Sequence, residues 1–143
     1  MKKYLKWYII AVIVNMIVGG LITYCNAAQA GKWDGSYHVT FNGTISQGGV
    51  TVEEYETEND FTIKGHKIYY GLEAIKKYRL GNVYYTGNNK ARIVVKFFGQ
   101  GQEIFNVKRR LDGSWHGKSH GYFISDGERY NMRGTVNATP IND

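Results

Sequence analysis

From residue 33 onward the apolar positions fall on every second residue. The odd positions read Trp33, Gly35, Tyr37, Val39 and Phe41, and the even ones Asp34, Ser36, His38, Thr40 and Asn42. A period of two puts alternate side chains on opposite faces of a pleated strand, so this stretch predicts a strand with one buried and one wet face. Asn42-Gly43 follows, a pair that tolerates positive φ at both positions, and predicts a two-residue hairpin there. Ile45 keeps odd parity, whereas Val50 and Val52 are even. Gly48-Gly49 lies between them, so a β-bulge at the two glycines is expected to reset the register.

The same grammar continues along the chain. Phe61 and Ile63 lead through a Lys64-Gly65 turn to Ile68, Tyr70 and Leu72. Leu72, Ile75 and Tyr78 have helical spacing, which predicts one or two helical turns over 72–79. A short strand at 83–86 closes on Gly87-Asn88-Asn89, and Ala91, Ile93, Val95 and Phe97 then alternate with Arg92, Val94, Lys96 and Phe98. A glycine-rich turn at 99–101 precedes a strand from Glu103 to Arg110, and Asp112-Gly113 and Asp126-Gly127 supply two more hairpins. The last strand directs Tyr130, Met132, Gly134 and Val136 inward and Arg129, Asn131, Arg133 and Thr135 outward. About eight or nine short strands at this spacing predict an all-β, antiparallel, up-and-down barrel-like meander. It occupies residues 31–138, with 139–143, including the sole proline Pro140, as a C-terminal tail.

One four-residue pattern occurs twice, as Trp33-Asp34-Gly35-Ser36 and Trp115-His116-Gly117-Lys118. A glycine two residues after a tryptophan shares its face, and lets a strand bend sharply or an indole lie over bare backbone. Trp33, Gly35, Trp115 and Gly117 are therefore expected to be structural. Gly31-Lys32-Trp33, opening the first strand within "GKWDGSY", resembles the G-x-W of lipocalins and the wider calycin-type barrels. The resemblance covers seven residues of a chain shorter than most lipocalins, and implies an up-and-down barrel around an apolar ligand cavity. In those families the tryptophan packs at the closed end, often with an arginine from the last strand. Arg133 or Arg129 could serve in that role here, but the alternation turns both outward.

The first thirty residues read differently. Lys2, Lys3 and Lys6 precede an apolar run over 8–22, and Ala28-Gln29-Ala30 gives the small-x-small pattern of a signal-peptidase site. Cleavage after Ala30 is expected. The rival is an uncleaved anchor, but Asn15 interrupts the run and it is short for a ~20-residue bilayer span. A third course is lipidation of Cys25, the only cysteine, after a lipobox-like Ile22-Thr23-Tyr24 whose bulky Tyr24 departs from that pattern. Export to a periplasmic, cell-surface or secreted location follows, with membrane contact only through this segment if it is uncleaved or lipidated. The mature chain would be free of cysteine, which excludes disulfides and thiol chemistry. Its 113 residues suffice for one core. Removing three lysines leaves 15 basic residues against 12 acids, so the net charge falls from +6 to about +3. That is too mild for nucleic-acid binding.

Candidate chemistry is sparse. His116 and His120 would make a metal pair on a helix, but on a strand they lie roughly 13 Å apart. His38 falls on the wet face, and His66 stands alone. The acidic run from Glu53 to Asp60 lacks the spacing of a calcium loop and reads as a solvated edge or loop. Lys108-Arg109-Arg110 and the cluster of Lys76, Lys77 and Arg79 read as ordinary soluble surface. No nucleophile elbow, phosphate loop or dinucleotide fingerprint appears, so neither an enzyme nor a cofactor is expected. What stands out is aromatic content: two tryptophans, nine tyrosines and six phenylalanines after residue 30. The expected function is non-catalytic binding of a small apolar or amphipathic ligand inside the barrel, with Tyr37, Phe41, Phe97 and Phe105 facing it. The alternative is a filled barrel whose outside binds another protein, as an envelope inhibitor or accessory factor. A continuous void of ~300 Å³ or more distinguishes the first from the second.

Overall fold

A computed structural model describes residues 31–97 and 100–142; the expected signal segment, with Cys25 and Ala30, lies outside the described residues. Eight strands follow one another in chain order: β1 (Gly35–Gln47), β2 (Val50–Lys64), β3 (Lys67–Tyr70), β4 (Arg79–Gly87), β5 (Lys90–Lys96), β6 (Gly101–Arg109), β7 (Trp115–Ser125) and β8 (Glu128–Pro140). Each pairs antiparallel with the next, and β8 returns to β1, closing the sheet into a barrel. The closing seam runs from Tyr37 opposite Pro140 to Ser46 opposite Asn131. Closure removes the two free edges that an eight-stranded open sheet would present. The proline expected in a tail thus ends β8, with its ring near the Gly113 turn.

Parity survives in three dimensions. Along β8, Met132, Val136 and Ala138 are buried while Arg129, Asn131, Arg133 and Thr135 are exposed. Tyr37 and Val39 of β1, Ala91 and Ile93 of β5, and Phe105 and Val107 of β6 join Val136 and Ala138 in one core. The expected helix over 72–79 shortens to a single 3-10 turn, Lys76–Tyr78, with none of its residues buried. Leu72, Ile75 and Tyr78 have no apolar surface to face there and remain exposed.

The hairpin expected at Asn42-Gly43 does not form. β1 runs straight through it to Gln47, and the turn is Gly48-Gly49, with φ of +57° and +82°. Positive φ at both positions suits the right-handed twist of the flanking strands. The bulge sits beside it: Ile45 opposes Glu53 and Ser46 opposes Thr51, so Val52 is the extra residue. Gly43 is required for a different reason. It faces Tyr55 across the pair, and a Cβ there would stand 2.3 Å from the Arg133 carbonyl oxygen and 2.6 Å from the Tyr55 hydroxyl. Local turn preference yields to close approach.

Two further expectations need correcting at the N-terminal end. Residues 31–33 are helical, so Trp33 precedes the first strand instead of opening it. Gly35 is exposed with open space around it, and does not make room for a neighbouring indole. Its φ of +147° lets the chain swing from that helical turn into β1. Gly117 does lie close against neighbouring backbone: a Cβ would stand 1.9 Å from the Asn106 carbonyl oxygen on β6.

Candidate functional site

An eight-stranded barrel is just wide enough either to be filled by its own side chains or to hold one small ligand. Here the two halves differ. At the end holding the β2–β3, β4–β5 and β6–β7 turns, large aromatic rings meet. Trp33 is fully buried, with its ring centroid 6.0 Å from Tyr85 and 6.4 Å from Trp115. Tyr37 stands edge-on to Trp115 at 5.6 Å, and its hydroxyl donates to the Trp33 carbonyl oxygen at 2.7 Å. The Tyr85 hydroxyl donates to the Gly65 carbonyl oxygen, and the Gly65 N–H donates to Asp34 Oδ1 at 2.8 Å. Burial pushes the Tyr85 phenol far up, with Asp34 adding to it. These bonds tie the segment before β1 to the β2–β3 turn and seal this end.

Above the seal lies a cavity of about 440 Å³ to which all eight strands contribute lining side chains. Trp115, Ile93 and Val136 form its floor. One wall is a run of rings: Phe41 meets Phe105 at 5.6 Å and Phe61 at 5.8 Å, and Phe61 meets Tyr70 at 5.9 Å. Edge-to-face contacts such as Phe41 with Phe61 keep apolar edges and faces turned inward. The cavity reaches solvent where Tyr70, half exposed, and Lys96 border it.

Of the four residues expected to face a ligand, Phe41, Phe97 and Phe105 line this cavity. Tyr37 lies below its floor, behind Trp115. Trp115, expected to be purely structural, serves both halves: it packs against Trp33 and Tyr37 and presents the rest of its indole to the void.

The sequence reading missed the cavity's polar spot. Glu103 and Tyr55 both line it, and the Glu103 Oε1 and the Tyr55 hydroxyl are buried with no partner in good hydrogen-bonding geometry, the Ser119 hydroxyl being the polar group beside both. Burial raises the Glu103 carboxyl above the usual carboxylate range, and the Ser119 hydroxyl beside it offsets this in part. The Tyr55 phenol is raised by burial and by the Glu103 charge, and the Ser119 hydroxyl offsets this in part. The signal was available: Glu103 shares parity with Phe105 and Val107, an acid on an otherwise apolar inner face.

The outer face carries different chemistry. His38 Nδ1 lies 2.8 Å from Asp60 and Nε2 3.2 Å from Glu58, with His38 and Glu58 exposed and Asp60 partly so. The bonds to Asp60 and then Glu58 raise the imidazole pKa. His116 and His120 sit on one face of β7 with Lys118 between them. Among the described residues no three His, Cys, Asp or Glu side chains converge on a metal-sized site. Of the two readings of the acidic run, edge or loop, the structure gives the edge: the run lies on β2, exposed for the most part, before the β3 pairing, which spans only Phe61 to Lys64. Compared with known protein families and with curated proteins, the chain matches none.

Proposed function

We propose that this protein is an exported, non-catalytic binding protein that carries a small apolar or amphipathic molecule in its barrel. The observation that carries the reading is the void of about 440 Å³, walled by apolar and aromatic side chains and open at one end. Ligand sites for small molecules are concave, mostly apolar and of about 300–1,000 Å³. The void weighs against a filled barrel acting through its outer surface. Export rests on the basic, apolar and Ala-x-Ala pattern of residues 1–30.

The test is fluorescence titration of residues 31–143 with N-phenyl-1-naphthylamine, a neutral probe that brightens in apolar surroundings. Saturable binding at one site per chain is expected. Val95→Trp, which places an indole in the void, should abolish it while the circular dichroism of the barrel is retained. Unchanged binding in Val95→Trp would overturn the reading.

A further inference from the structure

Glu103 is the one acid on the inner face of the cavity, 8% exposed, yet no Lys, Arg or His forms an ion pair with it among the described residues. Around it stand Val95 of β5, Gly121 and Ser119 of β7, and Tyr55 of β2. None of these is a cation; Lys96 lines the same cavity at its mouth but forms no ion pair with Glu103. An unpaired carboxyl in such a place costs stability, and a leucine or glutamine would cost less. The strands pack closely beside it. Gly121 lies opposite Glu103, and a Cβ on it would stand 2.7 Å from the Glu103 Cα. Gly43 leaves the space in which the Tyr55 ring turns its hydroxyl toward the same wall. A buried acid whose carboxyl has Ser119 beside it but whose Oε1 lacks a partner marks a place where a ligand completes the hydrogen bonding.

We propose that the ligand is an apolar molecule with a hydrogen-bond-donating head, an amine or an alcohol, which Glu103 receives at the cavity wall. The inference rests on the cavity-binding reading and deepens it. A donor at Oε1 supplies the missing partner, and an ammonium also supplies the missing opposite charge. Hydrogen bonds to charged groups are stronger than neutral ones, which ranks the amine above the alcohol. A head that can only accept, or that is itself a carboxylate, leaves Glu103 unsatisfied or opposed. The aliphatic part lies along the Phe41–Phe61–Phe105 wall, as its apolar surface requires.

The experiment is displacement of N-phenyl-1-naphthylamine by four ten-carbon compounds: decylamine, decan-1-ol, methyl decyl ether and decanoate. With the wild-type chain, decylamine should displace at concentrations about 10- to 100-fold below the ether, with the alcohol between them. Glu103→Leu should still bind the fluorophore and the ether but lose the preference, and its thermal midpoint should rise or hold. Glu103→Gln, the isosteric control, should keep the alcohol and lose the added advantage of the amine. Four equal affinities, a preference that survives Glu103→Leu, or decanoate binding tightest would each overturn the assignment while leaving cavity binding intact. A marked loss of thermal stability in Glu103→Leu would make the acid structural and also sink it. If the fluorophore itself fails to bind, cavity binding falls and this proposal with it.

Discussion

Replacing Trp33 by alanine tests whether the sealed end holds the barrel together. The indole is fully buried against Tyr85 and Trp115 and does not line the cavity. A buried aromatic side chain removes about 150–250 Å² from water. At about 25 cal/mol per Å², that transfer is worth about 4–6 kcal/mol, of which the alanine methyl keeps a small part. The Tyr37 hydroxyl bonds to the backbone carbonyl of residue 33, so that bond is not lost with the side chain. Partial collapse of the three remaining rings reduces the cavity term, and the expected cost is about 3–5 kcal/mol. Whole domains are stable by only about 5–15 kcal/mol, so the variant should stand near its unfolding threshold. For a chain of this size the thermal midpoint should fall by more than about 10 °C. Circular dichroism melts give the midpoint, and probe titration well below it should find fluorophore affinity within about threefold of wild type. A midpoint that moves by under about 3 °C refutes the plug. Weakened fluorophore binding with an unmoved midpoint would instead make Trp33 a ligand contact.

Gly43→Ala should cost about 1–3 kcal/mol, because its Cβ meets backbone that cannot swing aside and displaces the Tyr55 ring; chemical denaturation measures this, and a neutral result would remove the close-approach account. His38 should titrate above 6.5 by NMR, since the folded state binds its proton more tightly than the unfolded one does. That contribution is therefore fully present below pH 6.5 and is lost as pH rises through the folded pKa; His38→Gln should flatten the melting profile over that window, and an unaltered profile would show that Asp60 and Glu58 do not hold the proton.

The barrel was legible because its evidence is repetitive. Alternation at β1, β5 and β8, and turns at Gly65, Asp112-Gly113 and Asp126-Gly127, each point to the same meander. Asn42-Gly43 was misleading because a glycine in a strand has two uses, turning and close approach, and a single sequence displays both identically. Only pairing with β8, some ninety residues away, shows that Gly43 opposes Gly134 and must lie flat. Trp33 was legible as a buried anchor but not as a helical one, since three residues carry no period. The cavity itself was out of reach: parity places Phe41 and Phe105 inside, whereas the distance between facing walls depends on how far eight strands coil. Glu103 lay open to parity, but acids are so common on strand surfaces that its inward register drew no notice.

The seam between β1 and β8 has a kinetic consequence. Tyr37 and Pro140 are neighbours in the sheet and nearly the whole domain apart in the chain, and the Ile141 N–H returns to the Ser36 carbonyl oxygen at 2.9 Å. All other strand pairs can zip in sequence from their hairpins, but this one must wait for the last residues to arrive. Non-local pairing of this kind slows folding, because loop closure is charged before contact rewards it. Until then β1 and β8 both offer bare edges to any passing chain. The same proximity means that a short linker could join the two ends, and that a new pair of termini cut at the exposed Gly48-Gly49 turn would turn the slowest pairing into a local one.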